Sequence, residues 1–79
     1  MDKQEIFQVI VSIIAEVLPD IEAQNIAMGD RIRPWAENSI DRGEILMMTM
    51  ESFSLNIPMV EFITVDTFGD LVDKIHSHI

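Results

Sequence analysis

Residues 2–18 read DKQEIFQVIVSIIAEVL, and the apolar positions Ile6, Ile10, Ile13, Ile14, Val17 and Leu18 recur at steps of three and four. That spacing places them on one face of an α-helix. Asp2, followed three residues later by Glu5, has the form of a capping box, while Pro19 restricts Leu18 and halts propagation. Phe7, Val9 and Val11 widen the apolar stripe, which predicts packing against more than one neighbour. A helix of this kind is mainly a core element, so the rest of the chain must cover it.

Residues 19–38 hold Pro19, Pro34 and Gly29 among scattered isoleucines, without a sustained period. They read as a long loop with room for a short helical turn, anchored by Ile21, Ile26, Met28 and Ile32. Gly29-Asp30 marks a turn, and Pro34 biases Arg33 toward an extended conformation. The second strong helical segment runs from Ile40 to Phe53, with Asn38 or Ser39 as its N-cap and Asp41 and Glu44 complementing the positive end of its dipole. Ile45, Thr49 and Phe53 share one line, flanked by Leu46 and Met50. The opposite face carries Asp41, Glu44, Met48 and Glu51, with Met47 at the border. After Asn56-Ile57-Pro58, residues 59–63 suit one or two turns, and a last helix starts near Asp66 or Thr67 and runs through Phe68, Leu71, Val72 and Ile75. The expected fold is all-α, a small four-helix bundle with a long loop between helices I and II and a short helix III. Its expected core is Ile10, Ile14, Val17, Ile45, Phe53, Ile57, Phe68, Leu71 and Ile75.

Composition narrows the function. The chain has 79 residues, 48% of them hydrophobic, and a formal net charge of −9, which describes one small acidic domain over residues 1–79. It is too short for a deep two-domain cleft, and a mean hydropathy of +0.23 argues against a disordered acidic tail. The absence of cysteine excludes disulfides, cysteine-ligated metal and a cysteine nucleophile. With a polar N-terminus and no apolar run of membrane-spanning length, the default location is cytoplasmic. An acidic surface repels nucleic-acid backbones and anionic lipid, favours protein partners with basic patches and opposes self-association, so a monomer is expected.

Three strings decide the reading further: Glu37-Asn38-Ser39-Ile40-Asp41-Arg42-Gly43-Glu44-Ile45-Leu46, then Phe53-Ser54-Leu55-Asn56-Ile57-Pro58, then Val65-Asp66-Thr67-Phe68-Gly69-Asp70-Leu71-Val72. In this order the set resembles the acyl carrier protein family over nearly the whole chain. The resemblance implies that the bundle is of acyl-carrier-protein type and that the protein is not an enzyme. It also implies that a phosphopantetheinyl transferase attaches 4′-phosphopantetheine from coenzyme A to Ser39 through a phosphodiester. The physics agrees, because a hydroxyl at a helix N-terminus is accessible and the dipole favours a phosphate there. The thiol of the arm would supply the thioester chemistry that a chain without cysteine lacks. Three positions depart from the usual pattern: Asn38 stands where Asp commonly precedes the serine, Pro34-Trp35-Ala36-Glu37 where Leu-Gly is usual, and Gly43 lies inside the second helix.

Within the family, residues 38–51 and 55–58 look like the free-standing donor carriers of polyketide β-branching cassettes, which present acetyl groups to a 3-hydroxy-3-methylglutaryl (HMG) synthase-like enzyme. Acceptor carriers of those cassettes have Trp six residues after the serine, whereas this chain has Ile45 there. The implied partners are the transferase, the HMG-CoA synthase-like enzyme, an acyltransferase and a ketosynthase-like decarboxylase. Ile40, Asp41, Arg42, Glu44, Met47 and Glu51 are the residues expected to face them, the carboxylates meeting basic patches. The alternatives are a general discrete carrier for fatty-acid or polyketide extension and, in a different class, an unmodified helical interaction module using the Met-rich face. Met50 reads as core filler, Met48 as either core or surface. His76 and His78 do not share a helical face and make a poor metal pair, and no EF-hand loop surrounds Asp66, Asp70 and Asp73, so no metal is assigned. No Ser-His-acid arrangement suggests a hydrolase.

Overall fold

The two oxygens of a capping box open the first helix: in the computed structural model, which describes residues 1–79, Glu5 N–H donates to Asp2 Oδ1 at 2.8 Å and Asp2 N–H to Glu5 Oε1 at 3.2 Å. Helix α1 spans Lys3–Val17, with Leu18 as its C-cap just before Pro19. Helix α2 is the single turn Ile32–Trp35, α3 spans Ser39–Ser52 and α4 spans Phe68–Ser77. Two 3-10 turns, Ala23–Asn25 and Met59–Phe62, complete the order. No helix is long and apolar enough to cross a membrane.

Helix α1 packs against both α3 and α4, as its wide apolar stripe predicts. Ile6, Ile10 and Ile14 meet Phe68, Leu71, Val72 and Ile75 in a core that continues through Ile45 and Ile57. Each fully buried side chain of this size contributes roughly 1.5–3 kcal/mol relative to exposure. Val17 and Phe53 belong to the rim, half-buried at the ends of α1 and α3, where the helices run out of neighbours. Ile6, Phe7, Ile13, Ala23, Ile26, Ala36, Phe62 and Val72 join the core beyond the residues expected there. Thr49 is fully buried, and its hydroxyl is satisfied by donating to the Ile45 carbonyl at 2.7 Å.

The short third helix is a 3-10 turn, and the long loop holds a helical turn of its own. Arg33, expected to be extended ahead of Pro34, is helical within α2. The proline lies in the first turn, where its missing N–H would have had no intrahelical partner, so little opposes the helical conformation. The loop is also pinned to the start of α4. Ile32 N–H donates to Asp66 O at 2.9 Å, Phe68 N–H to Asp30 O at 3.0 Å and Gly69 N–H to Met28 O at 2.6 Å. Arg31 pairs with Thr67 in an isolated antiparallel bridge, and its Nε reaches Asp66 Oδ1 at 3.1 Å. Trp35 Nε1 donates to Asp30 Oδ2 at 3.3 Å, tying α2 to the Gly29-Asp30 turn.

Helix α3 ends in a Schellman motif. Leu55 N–H donates to Met50 O at 2.9 Å and Ser54 N–H to Glu51 O at 3.1 Å, with Ser54 at φ 54° in the left-handed region. At the start of α4, Thr67 and Asp70 form a second capping box. Asp70 is held below the ordinary carboxylate value of 3.8, first by the Thr67 backbone N–H, then by that of Asp66.

Candidate functional site

Ser39 is the first helical residue of α3, and Asn38 is the N-cap: its Oδ1 accepts from Ile40 N–H at 2.8 Å. Of the two residues expected to cap, only Asn38 does so, which leaves the Ser39 hydroxyl outside the side-chain hydrogen bonds of the fold. Ser39 is exposed. It therefore presents a nucleophilic oxygen at the N-terminal end of a 14-residue helix, where unpaired N–H groups and the dipole favour negative charge. A hydroxyl so placed is open to solvent, and a phosphate group at this end of the helix would meet unpaired N–H groups.

The segment leading to Ser39 is fixed from two sides. Ala36 is buried in the core, and Arg42 reaches back from the first turns of α3 so that Nη1 donates to Ala36 O at 2.8 Å and to Glu37 O at 2.7 Å. Arg42 is thus half-buried and engaged within the chain, although sequence spacing places it among the partner-facing residues. Of the others, Ile40, Glu44, Met47 and Glu51 are exposed on one side of α3, and Asp41 is half-buried. Met47 is exposed as expected of a partner-facing residue, and Met48, left open between core and surface, falls on the core side. Met48, three residues after Ile45, packs on the core, whereas Met47 points to solvent with 59% of its surface exposed. Met50 packs against the core as expected. Gly43 faces open space, since a Cβ there would meet nothing within 4 Å.

Beside α3 lies a cavity of about 320 Å³ lined mainly by apolar side chains, among them Ile45, Leu46, Phe62, Ile63 and Leu71, with Arg33, Arg42 and Asp66 as its charged wall. Its volume falls at the small end of ligand pockets. The 3-10 turn that closes one side exposes further apolar surface, Val60 at 67% and Ile63 at 77%, close in kind to Ile40 at 77% on α3. Sequence reading placed no site residue in this turn, because too few residues separate Pro58 from Asp66 to reveal a face. On the same turn, Glu61 Oε1 lies 3.4 Å from His78 Nε2 and 3.9 Å from Lys74 Nζ. His76 is exposed.

No family model matches the chain. Among curated proteins, it is 35% identical over 79 residues to the polyketide biosynthesis acyl-carrier-protein AcpK of Bacillus subtilis strain 168, an alignment covering 100% of this chain and 96% of that protein.

Proposed function

The chain belongs to the acyl carrier protein family, whose prosthetic group is covalently attached 4′-phosphopantetheine, and on that footing we propose that Ser39 is the attachment residue. As a family member the protein is a carrier and not an enzyme. The observation that carries the assignment is the exposed hydroxyl of Ser39 at the N-terminus of α3, left without a side-chain role by the cap at Asn38. In the attachment step the Ser39 oxygen forms a bond to the phosphorus that bears pantetheine, and the pyrophosphate linkage of coenzyme A breaks. Adenosine 3′,5′-bisphosphate leaves with the electron pair, and the hydroxyl proton passes to a base of the transferase. The arm supplies a thiol on which an acyl group travels as a thioester.

This chain's own residues then do three things. The N-terminus of α3 stabilises the phosphodiester electrostatically. Exposed Ile40 and Met47 give partners an apolar contact, and Glu44 and Glu51 steer basic surfaces toward it. The apolar cavity beside α3 offers a short acyl chain shelter from water. We assign the carrier to polyketide biosynthesis, as the name of its Bacillus relative supports. Within it, the role is donation of acetyl groups to an HMG-CoA synthase-like enzyme in β-branching. That role rests on the resemblance of residues 38–51 and 55–58 to donor carriers and on Ile45, a buried core residue, standing where acceptors carry Trp. The remaining partners are a phosphopantetheinyl transferase, an acyltransferase and a ketosynthase-like decarboxylase.

Intact-protein mass spectrometry after incubation with coenzyme A, magnesium and a broad-specificity transferase tests the assignment. One phosphopantetheinyl addition is expected on the wild type and none on Ser39→Ala. Addition to Ser39→Ala, or none to the folded wild type, would sink it. Transfer of acetyl from the loaded protein to an HMG-CoA synthase-like enzyme, compared with transfer to an extending ketosynthase, separates the donor role from that of a general carrier.

A further inference from the structure

Three successive carbonyls lead up to Ser39, and residue 42 takes all of them: Nη1 of Arg42 donates to Ala36 O and Glu37 O, and the Arg42 backbone N–H donates to Asn38 O at 3.1 Å. The two hydrogens of one guanidinium nitrogen match two carbonyls, an arrangement that a single-donor side chain cannot copy. The chain has 14 acidic residues, yet Arg42 takes part in none of the salt bridges. Its charge is directed at backbone oxygen instead, where charge-assisted hydrogen bonds are stronger than neutral ones. Upstream, Ala36 is held in the core, and downstream, Asn38 caps α3, so the path into Ser39 has no unrestrained peptide.

We infer that Arg42 is a positioning residue for the modification of Ser39, locking peptides 36–38 so that the serine's Cα and Cβ keep one position relative to the helix axis. This rests on Ser39 as the attachment residue, and it assigns Arg42 a task inside the chain in place of contact with partner enzymes. A nucleophile whose approach is already restricted loses less freedom on entering the transferase site, and displacement by about 1 Å can lower a rate as much as a hundredfold. Releasing the segment therefore lowers kcat of modification and leaves KM for the carrier nearly unchanged. A contact residue on an acidic docking surface behaves the other way, changing KM in a salt-dependent manner.

The test follows transfer from coenzyme A to the apo form of the wild type, Arg42→Met and Arg42→Lys, over a range of carrier concentrations at low and raised salt, with hydrogen exchange at the backbone amides of residues 36 and 42, which donate to Ile32 O and Asn38 O. For Arg42→Met, kcat is expected to fall roughly tenfold, with KM within about twofold at both salt concentrations and faster exchange at the amides of residues 36 and 42. Arg42→Lys keeps the charge without the fork and is expected to fall between the two; it also carries the test if the methionine variant does not fold. A rise in KM that salt abolishes, at unchanged kcat, would overturn the inference, as would wild-type kcat in both variants. Failure of the wild type to accept the group strikes at Ser39 itself, and the exchange rates then still decide whether Arg42 orders the segment.

Discussion

The Gly69 amide lies 2.6 Å from the Met28 carbonyl oxygen, and a Cβ on residue 69 would stand 3.1 Å from that same oxygen. The oxygen cannot retreat without lengthening the bond that draws it in. Gly69→Ala is therefore expected to cost about 1 kcal/mol despite the better helix propensity of alanine. Gly43 is the counterpart within the same chain, with open space around its missing Cβ. Gly43→Ala should gain about 0.5–1 kcal/mol. Urea midpoints of the two variants moving in the same direction would contradict this account.

Ser54 occupies the left-handed position that closes α3, at φ 54°. Glycine holds that conformation without the Cβ penalty. Ser54→Gly should raise stability by about 1 kcal/mol, read as an increase in the thermal midpoint, and Ser54→Val should lower it.

Asn38 caps α3 through a bond that aspartate makes equally well. Asn38→Ala is expected to destabilise by about 1 kcal/mol, and Asn38→Asp to stay within about 0.5 kcal/mol of the wild type. Denaturant titration of the three proteins decides between a cap and a merely exposed amide.

Asp70 accepts from the Thr67 and Asp66 backbone amides, and its carboxyl is held below 3.8 in the folded chain. A folded value below the unfolded one means that the group favours folding wherever it is ionised in both states. Its contribution is complete above the ordinary value and is lost as pH falls through the lowered one. Asp70→Asn should therefore flatten the acid side of the stability–pH curve below about pH 4 while leaving its shape near neutrality. Parallel curves throughout would show that the bonds do not distinguish the charged form.

Legibility followed the range of the interactions. Asp2 with Glu5, the end of α1 before Pro19 and the start of α4 near Thr67 were readable because capping acts over three or four residues. Ser39, the proposed attachment residue, was singled out by the resemblance that the motif around it carries, and its exposure at the start of α3 is compatible with that reading. The orientation of Met48 was not: it lies about 100° around the helix from the exposed Met47, and only the place of Ile45 against α1 brings it onto the core. Arg42 was hidden for a related reason. An arginine between Asp41 and Glu44 has the pattern of a solvated face, and its carbonyl partners become visible only once the chain before Asn38 turns back toward α3. Arg33 shows a local rule overridden, since the pinning of Arg31 and Ile32 to Asp66 and Thr67 sets the start of α2.

The pinning of the long loop to the start of α4 also has a kinetic meaning. Arg31 and Asp66 are 35 residues apart, and the whole of α3 lies inside the loop that they close. Closing a loop of that length costs on the order of 3 kcal/mol of chain entropy before any contact repays it. The peptide leading into Ser39 lies inside that closure, and its course is expected to be fixed only once the distant ends have met. Modification by the transferase would then act as a late reporter of folding, with nascent or collapsed chains passed over until their ends have joined.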